Sequence, residues 1–288
     1  MKNIIINKSI LLFVICIVFF VSCSSAPKNS GEVDVMRTVA ETWLESGIKE
    51  AGQGRFDRAL NILNDAKRYA ILTDDSSLII RVCLSLGNVY YSIGSTNEAF
   101  AQWNEAITES VRFKDPELIA AARIFMARGN LLSGRIGAAA VLEEVNRESL
   151  KIKKQRLYIA FSWQVKGLAL RSLGSYTEAE NAFKRSLVIN EKDRYLENAS
   201  YDWYSIASIR SLRGDSLGAL NALESSMMID RRIENSWGLA ASYRAMGDVY
   251  IKMGRQNDAM ESYRRARAIY VAMRNDFEIA EIDKKIVN

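Results

Sequence analysis

Residues 243–266, YRAMGDVYIKMGRQNDAMESYRRA, decide the fold. Within them Gly247 and Gly254 stand seven apart, Ala259 follows, and Tyr243, Tyr250, Tyr263 and Ala266 fall at helical spacings on either side of Gly254. Stepping back forty residues at a time from Gly254 meets Gly214, Gly174, Gly134, Gly94 and Gly54, and the same steps from Ala259 meet Ala219, Ala179, Ala139, Ala99 and Ala59. With only 16 glycines in 288 residues, six on one phase of forty are not a coincidence. A period of this length marks a supersecondary unit that buries its apolar face only by stacking on its neighbours.

The other columns say what the unit is. Seven residues before each turn glycine stands a small residue (Gly47, Gly87, Ala127, Gly167, Ala207, Gly247), and eleven before it a bulky one in most copies (Trp43, Cys83, Arg123, Trp163, Trp203, Tyr243). Nine after it stand Leu63, Trp103, Glu143, Phe183, Leu223 and Tyr263, and twelve after it Ala66, Ala106, Asn146, Ser186, Ser226 and Ala266. Two antiparallel helices approach closely only where small side chains meet, and aromatic rings fill the spaces between. The periodic glycine supplies the left-handed residue that ends the first helix. Ser95-x₂-Glu98 and Ser175-x₂-Glu178 have the spacing of capping boxes, and Asp115-Pro116-Glu117 that of an N-cap followed by proline at the first helical position. In Leu86-Gly87-x₂-Tyr90…Ala99-x₃-Trp103-x₂-Ala106 and Met246-Gly247-x₂-Tyr250…Ala259-x₃-Tyr263-x₂-Ala266 the chain resembles the tetratricopeptide repeat family. The resemblance implies an all-α fold, a right-handed α-solenoid of six antiparallel helix pairs over residues 32–273, closed by a capping helix at 274–288 that carries Phe277, Ile279, Ile282 and Ile286. The family's usual repeat has 34 residues, so six more here lengthen the helices by about three residues each, roughly 4.5 Å. The third copy is degenerate, because Arg123 and Glu143 replace bulky core residues while Gly134 and Ala139 keep phase.

Outside the array, Lys2 and Lys8 precede the twelve apolar residues Ile10 to Val21, and small polar residues follow. A spanning helix needs about 20 apolar residues, so residues 1–22 read as an export signal. Phe20-Val21-Ser22-Cys23 resembles the lipobox of bacterial lipoproteins, with Phe20 where leucine is usual, which makes Cys23 the lipidation site and 23–31 a flexible tether. The location implied is the bacterial cell envelope, lipid-anchored and facing the periplasm, with the outer membrane favoured by analogy over the outer face of the inner membrane. Removal of 1–22 takes Lys2 and Lys8 away, so the formal net charge falls from +5 to +3, too weak and diffuse for a dedicated nucleic-acid protein.

Composition excludes much of catalysis. The sequence has no histidine, so histidine-ligated zinc and serine or cysteine triads are ruled out. Gly129-x₄-Gly134-Arg135-Ile136 lacks the lysine and hydroxyl of a phosphate loop. No enzyme activity, metal or cofactor is expected. Cys83, in a core column, reads as a small buried hydrophobe. The basic run Lys151-x-Lys153-Lys154-x-Arg156 sits at a repeat junction, where a solvated turn and contact with anionic headgroups are both open.

The family resemblance also implies a binding face. Its concave positions on the first helix of each pair correspond here to Arg81, Asn88, Tyr91, Arg128, Phe161, Gln164, Arg171, Tyr201, Tyr204, Arg244, Asp248 and Lys252, a basic and aromatic set suited to a carboxylate-bearing segment. The carboxylate clamp that holds chaperone tails is missing. Two functions stay open: a non-catalytic scaffold or adaptor for an acidic protein or peptide partner, and a transport accessory that binds a small anionic ligand or a solute-transporter component.

Overall fold

The computed structural model describes residues 31–287. Among them thirteen α-helices follow one another without a strand: α1 Gly31–Gly52, α2 Phe56–Leu72, α3 Ser76–Ser92, α4 Thr96–Phe113, α5 Pro116–Leu132, α6 Ala138–Ser149, α7 Arg156–Ser172, α8 Tyr176–Lys192, α9 Leu196–Leu212, α10 Ser216–Arg232, α11 Ser236–Lys252, α12 Gln256–Ala272 and α13 Asp276–Val287. Odd-numbered helices up to α11 open a repeat, even-numbered ones run back along them, and α13 closes the array. The signal segment 1–22, the lipidation residue Cys23 and the tether up to Ser30 lie outside the described residues.

The six periodic glycines end the first helix of each pair with φ between +68° and +82°. A second forty-residue series closes the other end of each repeat: Asp74, Lys114, Arg194, Glu234 and Arg274 also have positive φ, between +49° and +61°. These are not glycines, so composition gave no sign of them. Of the expected caps, Asp115 accepts hydrogen bonds from the Glu117 and Leu118 amides at 2.8 and 3.2 Å. Ser95 and Ser175 make no side-chain cap. At similar backbone angles Asp75, Asp215 and Asn235 do cap, because their side chains are one bond longer and reach the amide three residues on.

Pairing within a repeat follows the small-against-large rule. A Cβ added at Gly47 would run into Leu63, at Gly87 into Trp103, at Gly167 into Phe183 and at Gly247 into Tyr263. Trp103 also covers Gly129, so one fully buried indole seals two repeats. Burying a side chain of this size contributes on the order of 2–3 kcal/mol.

The third repeat breaks the phase. Its turn between α5 and α6 spans five residues, Ser133 to Gly137, where the other pairs use three. Ala139 and Glu143 are exposed, unlike Ala59, Ala99, Ala179, Ala219 and Ala259, and the inward positions are instead Val141, Val145 and Glu148, the same spacing moved on by two residues. Gly134 keeps its left-handed turn, but the extra residues behind it rotate α6 to a new face. Helix α6 has 12 residues against 17 in most others, and no left-handed residue stands at 154. The buried carboxylate of Glu148 is met by Lys151, Arg147 and Arg123 at 2.8, 3.4 and 3.5 Å. Those three cations hold it below the usual carboxylate range against the opposing effect of burial.

Successive repeats wind far enough for the first to meet the fifth and sixth. Lys49 pairs with Glu234 at 3.0 Å, Gln53 donates to the same carboxylate at 3.2 Å, and Phe56 meets Trp237 edge-on at 5.3 Å between centroids. Met273 closes over Gly54. In a solenoid each repeat contacts chiefly its neighbours, so this seam comes from rotation accumulated over the whole array.

Candidate concave binding face

The concave face is built by α1, α3, α5, α7, α9 and α11, and the predicted residues fall into three groups on it. The first consists of available cations. Arg81 is exposed, with Glu41 4.0 Å away; Arg171 donates to Ser208 Oγ at 3.3 Å; and Arg128, half-buried, has no ion-pair partner among the described residues. A guanidinium carries five N–H donors, so each of these groups has donors beyond such contacts for a ligand.

The second group gives the face its aromatic walls. Phe161 stacks on Phe125 at 3.9 Å, Tyr91 packs on Trp103 at 5.9 Å, and Tyr201 meets Phe183 at 6.4 Å. Asn88, one turn before Tyr91 on α3, carries a buried Oδ1 without a hydrogen-bond partner among the described residues. Tyr204 lines a concavity of about 180 Å³ with Ser208, Ser211, Asp248 and Lys252.

The third group is already engaged within the chain. Arg244 pairs with Glu278 of α13 at 2.6 Å; burial depresses its pKa, but Tyr270, Glu278 and Tyr204 outweigh this and raise it. Asp248 accepts from Tyr263 at 2.8 Å and from Lys285 at 2.7 Å, and Lys252 donates to Ser211 Oγ at 2.8 Å. Gln164 is buried, not presented: it donates to Asp202 Oδ1 at 2.9 Å while Asn190 donates to Oδ2 at 2.7 Å. Burial pushes the Asp202 carboxyl up to about 7, against those hydrogen bonds. Sequence reasoning did not find Asp202, Glu278 or Lys285, because their roles depend on contacts between repeats. Cys83 is fully buried, and burial raises its thiol to about 12.

No curated protein matches the sequence. Among solved structures, the chain is similar to a Rap protein complexed with competence and sporulation factor (TM-score 0.58, 17% identity, 85% of this chain and 73% of that one). It is similar as well to BtubC from P. vanneervenii (TM-score 0.53, 14% identity, 79% of this chain and 92% of that one). A third likeness, to the APC/C hetero-tetramer Cut9-Hcn1 (TM-score 0.57, 14% identity), covers 86% of this chain but 43% of that one. These likenesses bear on the fold. The family model of the tetratricopeptide repeat matches residues 162–193 and 240–267, the fourth repeat and the sixth. Those two matches, the forty-residue columns and the stacked helix pairs give this chain the fold of a tetratricopeptide-repeat solenoid.

Proposed function

We propose that the protein is a lipid-anchored scaffold of the bacterial cell envelope, held at Cys23 and binding an acidic segment of a partner protein along its concave face. A tetratricopeptide-repeat fold implies a protein-interaction scaffold, and the chemistry of the face narrows the partner. The observation that carries this reading is the placement of Arg81, Arg128 and Arg171 on the first helices of three successive repeats, α3, α5 and α7, with Phe161 and Tyr204 on α7 and α9 and with Arg128 lacking an ion-pair partner among the described residues. Guanidinium groups take carboxylates two bonds at a time, and the rings beside them supply contact area at low entropy cost. The Rap structure and the Cut9-Hcn1 tetramer are both complexes of similarly folded chains with a second molecule.

The test is affinity capture from detergent-solubilised envelope. Arg128→Ala with Arg171→Ala should reduce recovery of the captured partner at least several-fold, whereas Arg264→Ala on the outer surface should leave it unchanged. Equal recovery by all three forms would remove the concave face as the site. Cys23→Ala tests the anchor separately: it should accumulate as unprocessed precursor or leave the membrane fraction, and a processed form retained as strongly as wild type would contradict lipidation. Stable anchoring takes at least two lipid chains.

The small-ligand reading rests on the concavity beside Tyr204 and Lys252. Its volume of about 180 Å³ is below the range usual for ligand pockets, and Asp248 places a carboxylate in its wall. An anion is poorly served there, so the protein-partner reading is preferred.

A further inference from the structure

The two rims of the array differ in charge. On the rim where each repeat passes to the next, contacts form a continuous chain: Arg37 near the start of α1 pairs with Asp75 at 3.0 Å, Asp74 with Arg112 at 3.6 Å, Glu117 accepts from the Lys154 and Gln155 amides, and Arg156 pairs with Asp193. Asp74, Asp75 and Asp193 are thereby ion-paired, Glu117 is bound by backbone amides, and Glu191 accepts from Trp203 at 3.3 Å. Five cations are left over. Lys114, Lys153, Lys154, Lys192 and Arg194 are all exposed, and among the described residues none has an ion-pair partner. Phe113, Leu150 and Leu157 stand beside them, exposed by 48%, 70% and 36%, and Leu72 on the preceding turn by 66%. The opposite rim, at the periodic glycines, has its arginines satisfied internally: Arg55 by Glu50, Arg213 by Glu180, Arg255 by Asp258, and Arg135 over the Phe100 ring.

We infer that the rim running from the start of α1 to the α8–α9 turn docks on an anionic membrane surface. Free lysines with apolar side chains between them fit a headgroup layer, with the cations meeting phosphate and the apolar groups entering the interface. The place where the chain enters agrees with this. Gly31 opens α1 on this rim, and the apolar run Ile10 to Val21 precedes it closely in sequence. At no more than about 3.6 Å per residue, the segment 23–31 keeps the rim within roughly 30 Å of an anchor at Cys23. That part of the inference rests on the anchoring proposed above; the charge pattern does not. The Glu117 bonds hold the Lys153–Lys154 turn against α5, so its amines are displayed from a fixed turn. Each basic side chain near an anionic surface is worth roughly five-fold in occupancy, and the effect fades within about 8–10 Å at physiological salt.

The experiment is amide hydrogen exchange of the full chain reconstituted in vesicles of phosphatidylglycerol and phosphatidylcholine, or of phosphatidylcholine alone. Exchange across residues 113–117 and 150–156 should slow several-fold on the anionic vesicles, with residues 133–137 and 173–175 unchanged. Lys114→Gln, Lys153→Gln and Lys154→Gln together should abolish the slowing. An equal change of charge on the other rim, Asn97→Glu, Thr177→Glu and Asn257→Glu, should preserve it. No slowing, equal slowing on both rims, or the same slowing by soluble polyglutamate would overturn the inference, the last in favour of an acidic protein. Flotation with neutral vesicles reads the anchor independently. A chain that floats without any exchange difference keeps the anchor and overturns the rim; one that does not float with neutral vesicles yet slows on anionic ones removes the anchor and keeps the rim.

Discussion

The third repeat and the fourth start from the same markers, Gly134 with Ala139 and Gly174 with Ala179, and arrive at different interiors. In the fourth, three residues turn the chain, and Ala179, Phe183 and Ser186 face inward, with the Phe183 ring closing on Gly167. In the third, a five-residue turn carries Ala139 out to solvent and brings in Val141, Val145 and a carboxylate, Glu148. A turn glycine therefore fixes where a helix ends, not which face the next one buries. The register belongs to the length of the turn. What the third repeat loses in aromatic packing is made up in part by charge, since Glu148 gathers three cations from α5, α6 and the following turn.

The contrast can be broken by truncation. Phe183→Ala in the fourth repeat should cost about 3–5 kcal/mol, because a large ring leaves a cavity against Gly167. Val145→Ala in the third should cost about 1–2 kcal/mol, and Glu143→Ala, on the exposed face, within about ±0.5 kcal/mol. Urea denaturation of the three variants decides the point. A larger loss for Glu143→Ala than for Val145→Ala would mean that α6 keeps the sequence phase after all.

The second difference lies in buried ionisable groups. Glu148 in the third repeat is held charged by cations, whereas Asp202 in the fifth is pushed up to about 7 by burial, with only amides and a hydroxyl to oppose it. A carboxyl whose pKa is raised on folding gives its full stability below its unfolded pKa, near 3.9, and loses it as pH rises through the folded value. Between pH 4 and 8 Asp202 should therefore remove on the order of 2–4 kcal/mol from the array. Asp202→Asn should flatten that fall, measured as the difference in denaturation midpoint between pH 5 and 8. An unchanged pH slope in the variant would show that Asp202 is already ionised at pH 5.

The smallest effect separates the two repeats at a single alanine. Ala179→Leu overpacks a closed helix contact and should cost about 1–3 kcal/mol, while Ala139→Leu, at the same position by sequence, should change stability by no more than about 0.5 kcal/mol. Thermal melts of the pair are sufficient. Equal losses would contradict the two-residue shift.

Much of the fold was legible because the repeat is written in residues that allow few alternatives: a left-handed turn glycine, a small residue opposite a ring, an alanine at a helix crossing. The slip in α6 was hidden, since both marker residues of that repeat keep phase and the extra turn length looks like helix in composition. The seam of Lys49, Gln53 and Phe56 with Glu234 and Trp237 was hidden for another reason, because the columns describe neighbours and the seam joins the first repeat to the fifth and sixth. At the concave face the sequence placed Arg81, Arg128 and Arg171 where cations are available. It could not separate them from Arg244 and Asp248, whose charges are met by Glu278 and Lys285 of the closing helix, or from Gln164, drawn inward by the buried Asp202.

Whether a partner lies along the concave face is decided by site-specific photo-crosslinking in cells. A photoreactive amino acid would replace Ser208, beside Arg171 on α9, or Val188, exposed by 66% on the outer helix α8. A partner on the concave face gives covalent adducts with an acidic protein from position 208 and none from position 188. Adducts from Val188 with none from Ser208 would contradict it and move the binding surface to the outside of the solenoid.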